Sequence, residues 1–273
     1  MESKGSYPIK IRNLEWKFGD RRILSDITLN INKGSFYSII GPNGSGKTTL
    51  LRNISKSLEP KHGSVFIDDI DVTRLNSKNI AKRLSVVPQN TNIEFAFTVT
   101  DIVLMGRSPY MRRFESESNQ DLEIAEMAMR ATNTWHLRDK RINEISGGER
   151  QRVIVARALA QDTDIMLLDE PVSQLDIHHQ IELMETIHEL IKTRGMTAIS
   201  VMHDLNLAAQ YSDYIILMNE GKVVCQGTPQ EVITKENIRE VYKLEGYIVK
   251  NPITGKPYII HVKKCDPCAA ANQ

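Results

Sequence analysis

The nine residues Gly41–Thr49, GPNGSGKTT, constrain this chain more than any other stretch. They fit the pattern G-x-x-x-x-G-K-[ST], with Gly41, Gly46, Lys47 and Thr48 at its fixed positions. A backbone that wraps phosphate oxygens must turn its N–H groups inward, and a Cβ at the points of closest approach would block it. Lys47 supplies a point charge for the outer phosphates, and the Thr48 hydroxyl can ligate Mg2+. The pattern carries meaning only between a strand and a helix. Ser35–Ile40 (SFYSII) reads as that strand and Thr49–Leu58 as that helix, whose N-terminus would face the anion. The candidate phosphate contacts are therefore Gly41, Pro42, Asn43, Gly44, Ser45, Gly46, Lys47, Thr48 and Thr49.

A chain of 273 residues has room for one α/β domain with an inserted subdomain. One phosphate loop and no internal duplication imply one nucleotide-binding unit. The net charge of +1 gives no electrostatic reason to expect nucleic acid as a partner. No apolar run approaches the roughly 18–20 residues of a membrane span, and no secretory signal opens the sequence. The three cysteines, Cys225, Cys265 and Cys268, make no disulfide framework, which suits a cytosolic setting.

The N-terminal part reads as β structure. Ile9, Ile11, Leu14 and Trp16 mark one strand, Gly19-Asp20 a turn, and Ile27, Leu29 and Ile31 alternate along a second. Ser64–Asp71 predicts a hairpin turning at Asp68-Asp69. From about Asn90 the character becomes helical: Thr100 or Asp101 caps a short helix through Met105, and Asn119–Arg130 is helical through Leu122, Ala125, Met127 and Met129. The apolar runs Ile165–Leu168 and Thr197–Met202 suit buried parallel strands. Between them lies a helix capped by Asp176, stopped by Gly195, with Ile177, Ile181, Met184, Ile187 and Ile191 on its inner face. Tyr214–Met218 and Val223–Gln226 flank a hairpin turn, Thr228-Pro229 opens a helix, and Tyr247–Lys250 with Tyr258–Val262 predicts a last hairpin. This gives a domain over residues 1–245, with a helical subdomain at about 90–158, then a hairpin and frayed tail over 246–273.

Two further clusters carry chemistry. Asp169 ends an apolar strand, where its carboxylate can hold Mg2+, and Glu170 beside it is the candidate general base for polarising an attacking water. Ser146 and Glu149 form the S-x-x-E capping box of a helix, and Gly147 and Gly148 leave backbone N–H groups open at its start, a second anion site. His203 follows the strand Thr197–Met202, at the end of an α/β sheet where sites form.

With ISGGERQ at Ile145–Gln151 and DIMLLDEP at Asp164–Pro171 following the phosphate loop, the chain resembles the ATP-binding subunits of ABC transporters. The resemblance spans roughly Ile9 to Val262, with the motifs in the family's order. Glu149 stands where the signature more commonly has Gln, and Val172 where Thr is usual. The resemblance implies an α/β P-loop NTPase (RecA-like) core, an N-terminal antiparallel β subdomain and an inserted helical subdomain. It implies ATP and Mg2+ as cofactors, the metal being held by Thr48, Gln89 and Asp169. Gln89 then touches the metal and the attacking water, and His203 the γ-phosphate. Ser146, Gly147, Gly148 and Glu149 face the ATP of a partner subunit, and Ser173-Gln174-Leu175-Asp176 crosses the same interface. Phe18 serves equally as a core β residue or a ring platform on sequence alone; the resemblance implies stacking on adenine. Cys265 and Cys268 with His261 fall short of a closed zinc site, and a flexible tail is the expectation.

The stretches FTVTDIVLMGRSPYMRRF, MHDLNLAAQYSD and NPITGKP are similar to importer ATPases for iron–siderophore complexes, haem and cobalamin. The resemblance implies a second copy of the chain, transmembrane permease subunits and, indirectly, an extracytoplasmic substrate-binding protein as partners, at the cytoplasmic face of the membrane. The alternative, an ABC ATPase acting on DNA or ribosomes, usually carries a coiled-coil insertion or two nucleotide units, and Gln89 to Ser146 leaves no room for such an insertion. A scaffold without turnover would not need Lys47, Asp169, Glu170 and His203 intact.

Overall fold

In the computed structural model β1 (Ile9–Phe18) and β2 (Arg21–Ile31) form the hairpin that Gly19-Asp20 predicts, and residues 7–89, 95–112, 116–173 and 175–264 are described. β3 (Phe36–Ile40) runs into the phosphate loop and α1 (Lys47–Ile54). That helix starts earlier and stops sooner than Thr49–Leu58. The loop closes directly onto Lys47, and Lys56, at φ 56°, leaves the helix. β4 (Val65–Ile67) and β5 (Ile70–Asp71) turn at Asp68-Asp69 and complete a four-stranded antiparallel sheet in the order β2-β1-β4-β5. α2 (Ser77–Ala81) and β6 (Leu84–Val87) follow.

Between β6 and the next strand the described chain is helical. α3 (Val99–Leu104), α4 (Asn119–Ala131) and α5 (Gly147–Ala160) pack on one another. Thr98, not Thr100 or Asp101, caps α3. Its hydroxyl accepts from the Asp101 backbone N–H while Asp101 reaches back to Thr98, so Asp101 is the third residue of a capping box. In α4 the buried face is Ala125, Ala128 and Met129, with Leu122 and Met127 exposed. The alanines allow close approach to α5. Met127 falls on the far side of the helix, and Leu122 sits at the rim of the buried face.

β7 (Ile165–Asp169), α6 (Ile177–Arg194), β8 (Thr197–Val201), α7 (Leu205–Tyr211), β9 (Tyr214–Asn219) and β10 (Lys222–Gly227) complete a sheet in the order β10-β9-β3-β8-β7-β6. All pairs but β9–β10 are parallel. Successive side chains split between two cores. Phe36, Ile40, Met166, Leu168, Ile215 and Leu217 face the helical side, while Tyr37, Ile39, Ile165, Leu167, Ile216 and Met218 face the antiparallel sheet. α6 buries Leu183, Met184, Ile187 and Ile191. Ile177 and Ile181, expected on its inner face, are exposed, because Ile177 projects at the helix start and Ile181 lies about a quarter turn off the buried stripe.

Thr228-Pro229 opens only a single turn, α8 (Pro229–Val232), and Thr234 caps a second helix, α9 (Lys235–Tyr242). β11 (Leu244–Lys250) and β12 (Pro257–Lys264) make the final hairpin, which begins before residue 246. Lys256 Nζ donates to the Gln210 and Ser212 carbonyls, and the Asn206 side chain bonds the backbone of Ile259, tying the hairpin to α7. Asn90, Arg113, Phe114, Gln174, Cys265 and Cys268 lie outside the described residues.

Candidate active site

Four neighbouring parallel strands end on one edge of the sheet. Gly41 follows β3, His203 follows β8, Asp169 and Glu170 end β7, and Gln89 follows β6. Residues far apart in sequence therefore meet at the carboxyl ends of the strands, where open α/β sheets place ligands. Glu170 and His203 line a cleft of about 370 Å3 together with Phe18, Asn43, Gly44, Gly46, Lys47, Thr48 and Thr49, while Gly41, Asp169 and Gln89 stand behind its wall.

The phosphate loop is held tightly. Gly46, at φ 99°, starts α1, and a Cβ there would come within 2.7 Å of the Leu24 side chain; a Cβ on Gly41 would fall on the Met218 carbonyl. Lys47 Nζ donates to the carbonyls of Gly41 at 2.8 Å and Pro42 at 3.0 Å, so the loop closes around its own ammonium. Burial pushes Lys47 below the usual lysine range, opposed by the Glu170 and Asp169 carboxylates. Asn43 is exposed, whereas Ser45 faces inward.

Thr48 Oγ1 donates to Asp169 Oδ1 at 3.0 Å. Burial raises the Asp169 carboxyl above its ordinary value; the Thr48 hydroxyl opposes the shift and the Glu170 charge adds to it. Glu170 leaves β7 with φ 53°, a left-handed conformation rare outside glycine that here turns the side chain into the cleft. Its Oε1 lies 2.5 Å from His203 Nε2, and its Oε2 accepts from Gln89 Nε2 at 2.6 Å. The three side chains nominated for catalysis form one hydrogen-bonded set.

Phe18 is half exposed at the cleft rim, edge-on to Trp16 with ring centroids 6.0 Å apart. About half of its surface is thus left uncovered at the cleft. The second cluster stands apart from this cleft. Ser146 caps α5 in a capping box with Glu149, and both lie at its start with Gly147 and Gly148. Asp176 caps α6 through the His179 backbone N–H at 3.0 Å.

The profile of the ABC transporter family matches residues 24–173, more than half of the chain. The chain belongs to the ABC transporter ATPase family. The ferric enterobactin transport ATP-binding protein FepC of Escherichia coli (strain K12) is 40% identical over 253 residues, 93% of each chain. Among solved structures, a metal-chelate type ABC transporter in an inward-facing conformation superposes with a TM-score of 0.81 at 26% identity, covering 93% of this chain and 97% of that one. A dimeric, post-hydrolysis ATP-binding cassette bound to ADP and Pi gives 0.70 at 29% identity, covering 81% and 98%.

Sequence reasoning missed three residues of this ABC ATPase. Arg21 and Ile23 of β2 join the cleft wall; nothing in their local pattern marks them, because only the strand order carries β2 to the phosphate loop. Burial pushes the phenol of Tyr242, at the end of α9, well above the usual tyrosine range, and the nearby Gly41 backbone opposes the shift. Nothing local marks this tyrosine, because Gly41 lies about two hundred residues away in sequence.

Proposed function

We propose that this ABC ATPase powers import of an iron chelate, with two copies closing head to tail over two ATP molecules. The observation that carries the reading is the Gln89–Glu170–His203 set at the mouth of the phosphate loop. On ATP binding, Lys47 exchanges its contacts with the loop carbonyls for the outer phosphates, a charge-assisted interaction in a partly dry cleft. Glu170 orients and deprotonates the attacking water, and Gln89 and His203 fix its carboxylate and reach the transferred phosphoryl group. Phe18, half exposed at the cleft rim, stacks on the adenine.

The Thr48 hydroxyl and Asp169 carboxylate sit side by side, an all-oxygen pair that fits Mg2+, with Gln89 close by. When bound, the metal would neutralise charge on the β- and γ-phosphates.

Ser146, Gly147, Gly148 and Glu149 stand outside the cleft of their own chain, which supports their serving the ATP of a second copy, with Asp176 at the same interface. Among the described residues no helix is long and apolar enough to cross a membrane, so the pore belongs to permease subunits. A groove of about 730 Å3 between α2 and β6 on one side and Met105, Gly106 and Arg157 on the other suits a permease segment at the membrane's cytoplasmic face. An extracytoplasmic substrate-binding protein would deliver the cargo. The iron chelate is favoured over haem and cobalamin by the ferric enterobactin relative.

The test combines turnover and cargo. Glu170→Gln should keep ATP binding and slow hydrolysis by about 10²–10⁴. Cells lacking the gene should lose uptake of labelled ferric siderophore and retain cobalamin uptake. Unchanged turnover in the variant removes Glu170 as the base, and loss of cobalamin uptake alone reassigns the cargo.

A further inference from the structure

We propose that His179 is the positioning residue of the second anion site, holding the first turn of α5 at the angle at which its N–H groups meet the partner's ATP. The inference rests on the reading of that helix start as a site for the other copy.

Glycine is a poor helix former and brings no side chain to pack. With Gly147 and Gly148 as its first two residues, α5 must be held in place from outside. The capping box does this on one side, through Ser146 N to Glu149 Oε2 at 2.8 Å and Glu149 N to Ser146 Oγ at 3.2 Å. The imidazole of His179 does it on the other. A methyl built on Gly148 would stand 3.1 Å from both Cγ and Cδ2 of His179, whereas one on Gly147 would meet nothing within 4 Å. Gly148 therefore rests on the ring, and Gly147 looks into open space.

The ring itself is fixed. Its Nδ1 lies 2.8 and 2.9 Å from the two carboxylate oxygens of Asp176, the cap of α6. The backbone N–H of His179 already satisfies that cap, so capping alone does not require an imidazole. One turn further on, Arg152 of α5 bonds Glu182 of α6 at 3.0 Å. Two successive ties thus join the starts of α5 and α6, and the one nearer the anion site runs through His179. Asp176, placed by the family resemblance at the subunit interface, orients the ring that seats the signature glycine of the same chain. A shift of about 1 Å in such a positioning element costs up to 10²-fold in rate.

His179→Ala should leave ATP affinity of the single chain unchanged, because the ring takes no part in the phosphate-loop cleft, and lower kcat about tenfold with little change in KM. Gly148→Ala should also lower kcat, since its methyl must displace the ring. In the double variant that methyl occupies the space the ring has left, and kcat should rise above that of either single variant. A role confined to stability would lower the melting temperature without this rescue. Wild-type kcat in His179→Ala, or a double variant no better than the singles, overturns the inference. Failure of the underlying reading is distinguishable: a thiol crosslink between Asn43→Cys on one chain and Ser146→Cys on another would then not form at all.

Discussion

At the scale of single residues the site is a set of exchangeable contacts. Lys47 holds two loop carbonyls, and Glu170 holds Gln89 and His203. Each is a contact that phosphate or water can replace without moving the backbone. Lys47→Ala should weaken ATP binding by about 10- to 100-fold in a fluorescence titration, the worth of hydrogen bonds to a charged group. Unchanged affinity would remove the cleft as the nucleotide site. The residue types were legible in the sequence because glycine, lysine and hydroxyl at fixed spacing have one shared use. The left-handed backbone of Glu170 was not, since only the closure of β7 against β8 imposes it, through the Glu170 N–H bond to the Val201 carbonyl at 3.2 Å. The approach of Tyr242 to the Gly41 backbone was equally hidden, being a product of where α9 docks.

At the scale of elements the sequence located helices and strands better than it located their faces. Periodicity marks a stripe, but its edges depend on what lies opposite. α6 packs through Leu183, Met184, Ile187 and Ile191, while Ile177 is 75% exposed and Leu183 fully buried. Leu183→Ala should therefore destabilise the chain by about 2–5 kcal/mol and Ile177→Ala by no more than about 0.5, read from urea midpoints. Equal effects would restore the stripe expected from sequence. The helical segment between β6 and β7 is stapled by an ion pair, Arg107 Nε to Asp121 Oδ1 at 2.8 Å, with both groups buried. The Ser118 hydroxyl first, and then Arg107, hold the Asp121 carboxyl below the usual carboxylate range. A lowered pKa stabilises the fold above the ordinary value of about 3.9, and that contribution is lost as pH falls through the folded-state value. Asp121→Asn should thus be much less stable than wild type at pH 7, by about 3–5 kcal/mol, with the gap narrowing on acidification below pH ~4. A gap independent of pH would contradict the assigned pairing.

At the scale of the molecule two cores share one mainly parallel sheet, and the sheet's edge gathers the ends of β3, β8, β7 and β6. That gathering explains why motifs scattered over most of the chain converge on one cleft, and why the signature, at the start of α5, does not join it. The central claim is that the missing half of each site comes from another copy. Asn43 and Ser146 are both exposed, whereas Ser45 is buried and unsuited to labelling. With Cys225, Cys265 and Cys268 replaced by serine, one preparation carries Asn43→Cys and another Ser146→Cys, each with Glu170→Gln to arrest hydrolysis. A short bifunctional thiol reagent is added with ATP and Mg2+, and the product is read on a denaturing gel. The account predicts a two-chain band when the preparations are mixed with ATP, and none from either alone or from the mixture without ATP. No two-chain band in the ATP-loaded mixture, or one that forms equally without ATP, would contradict it.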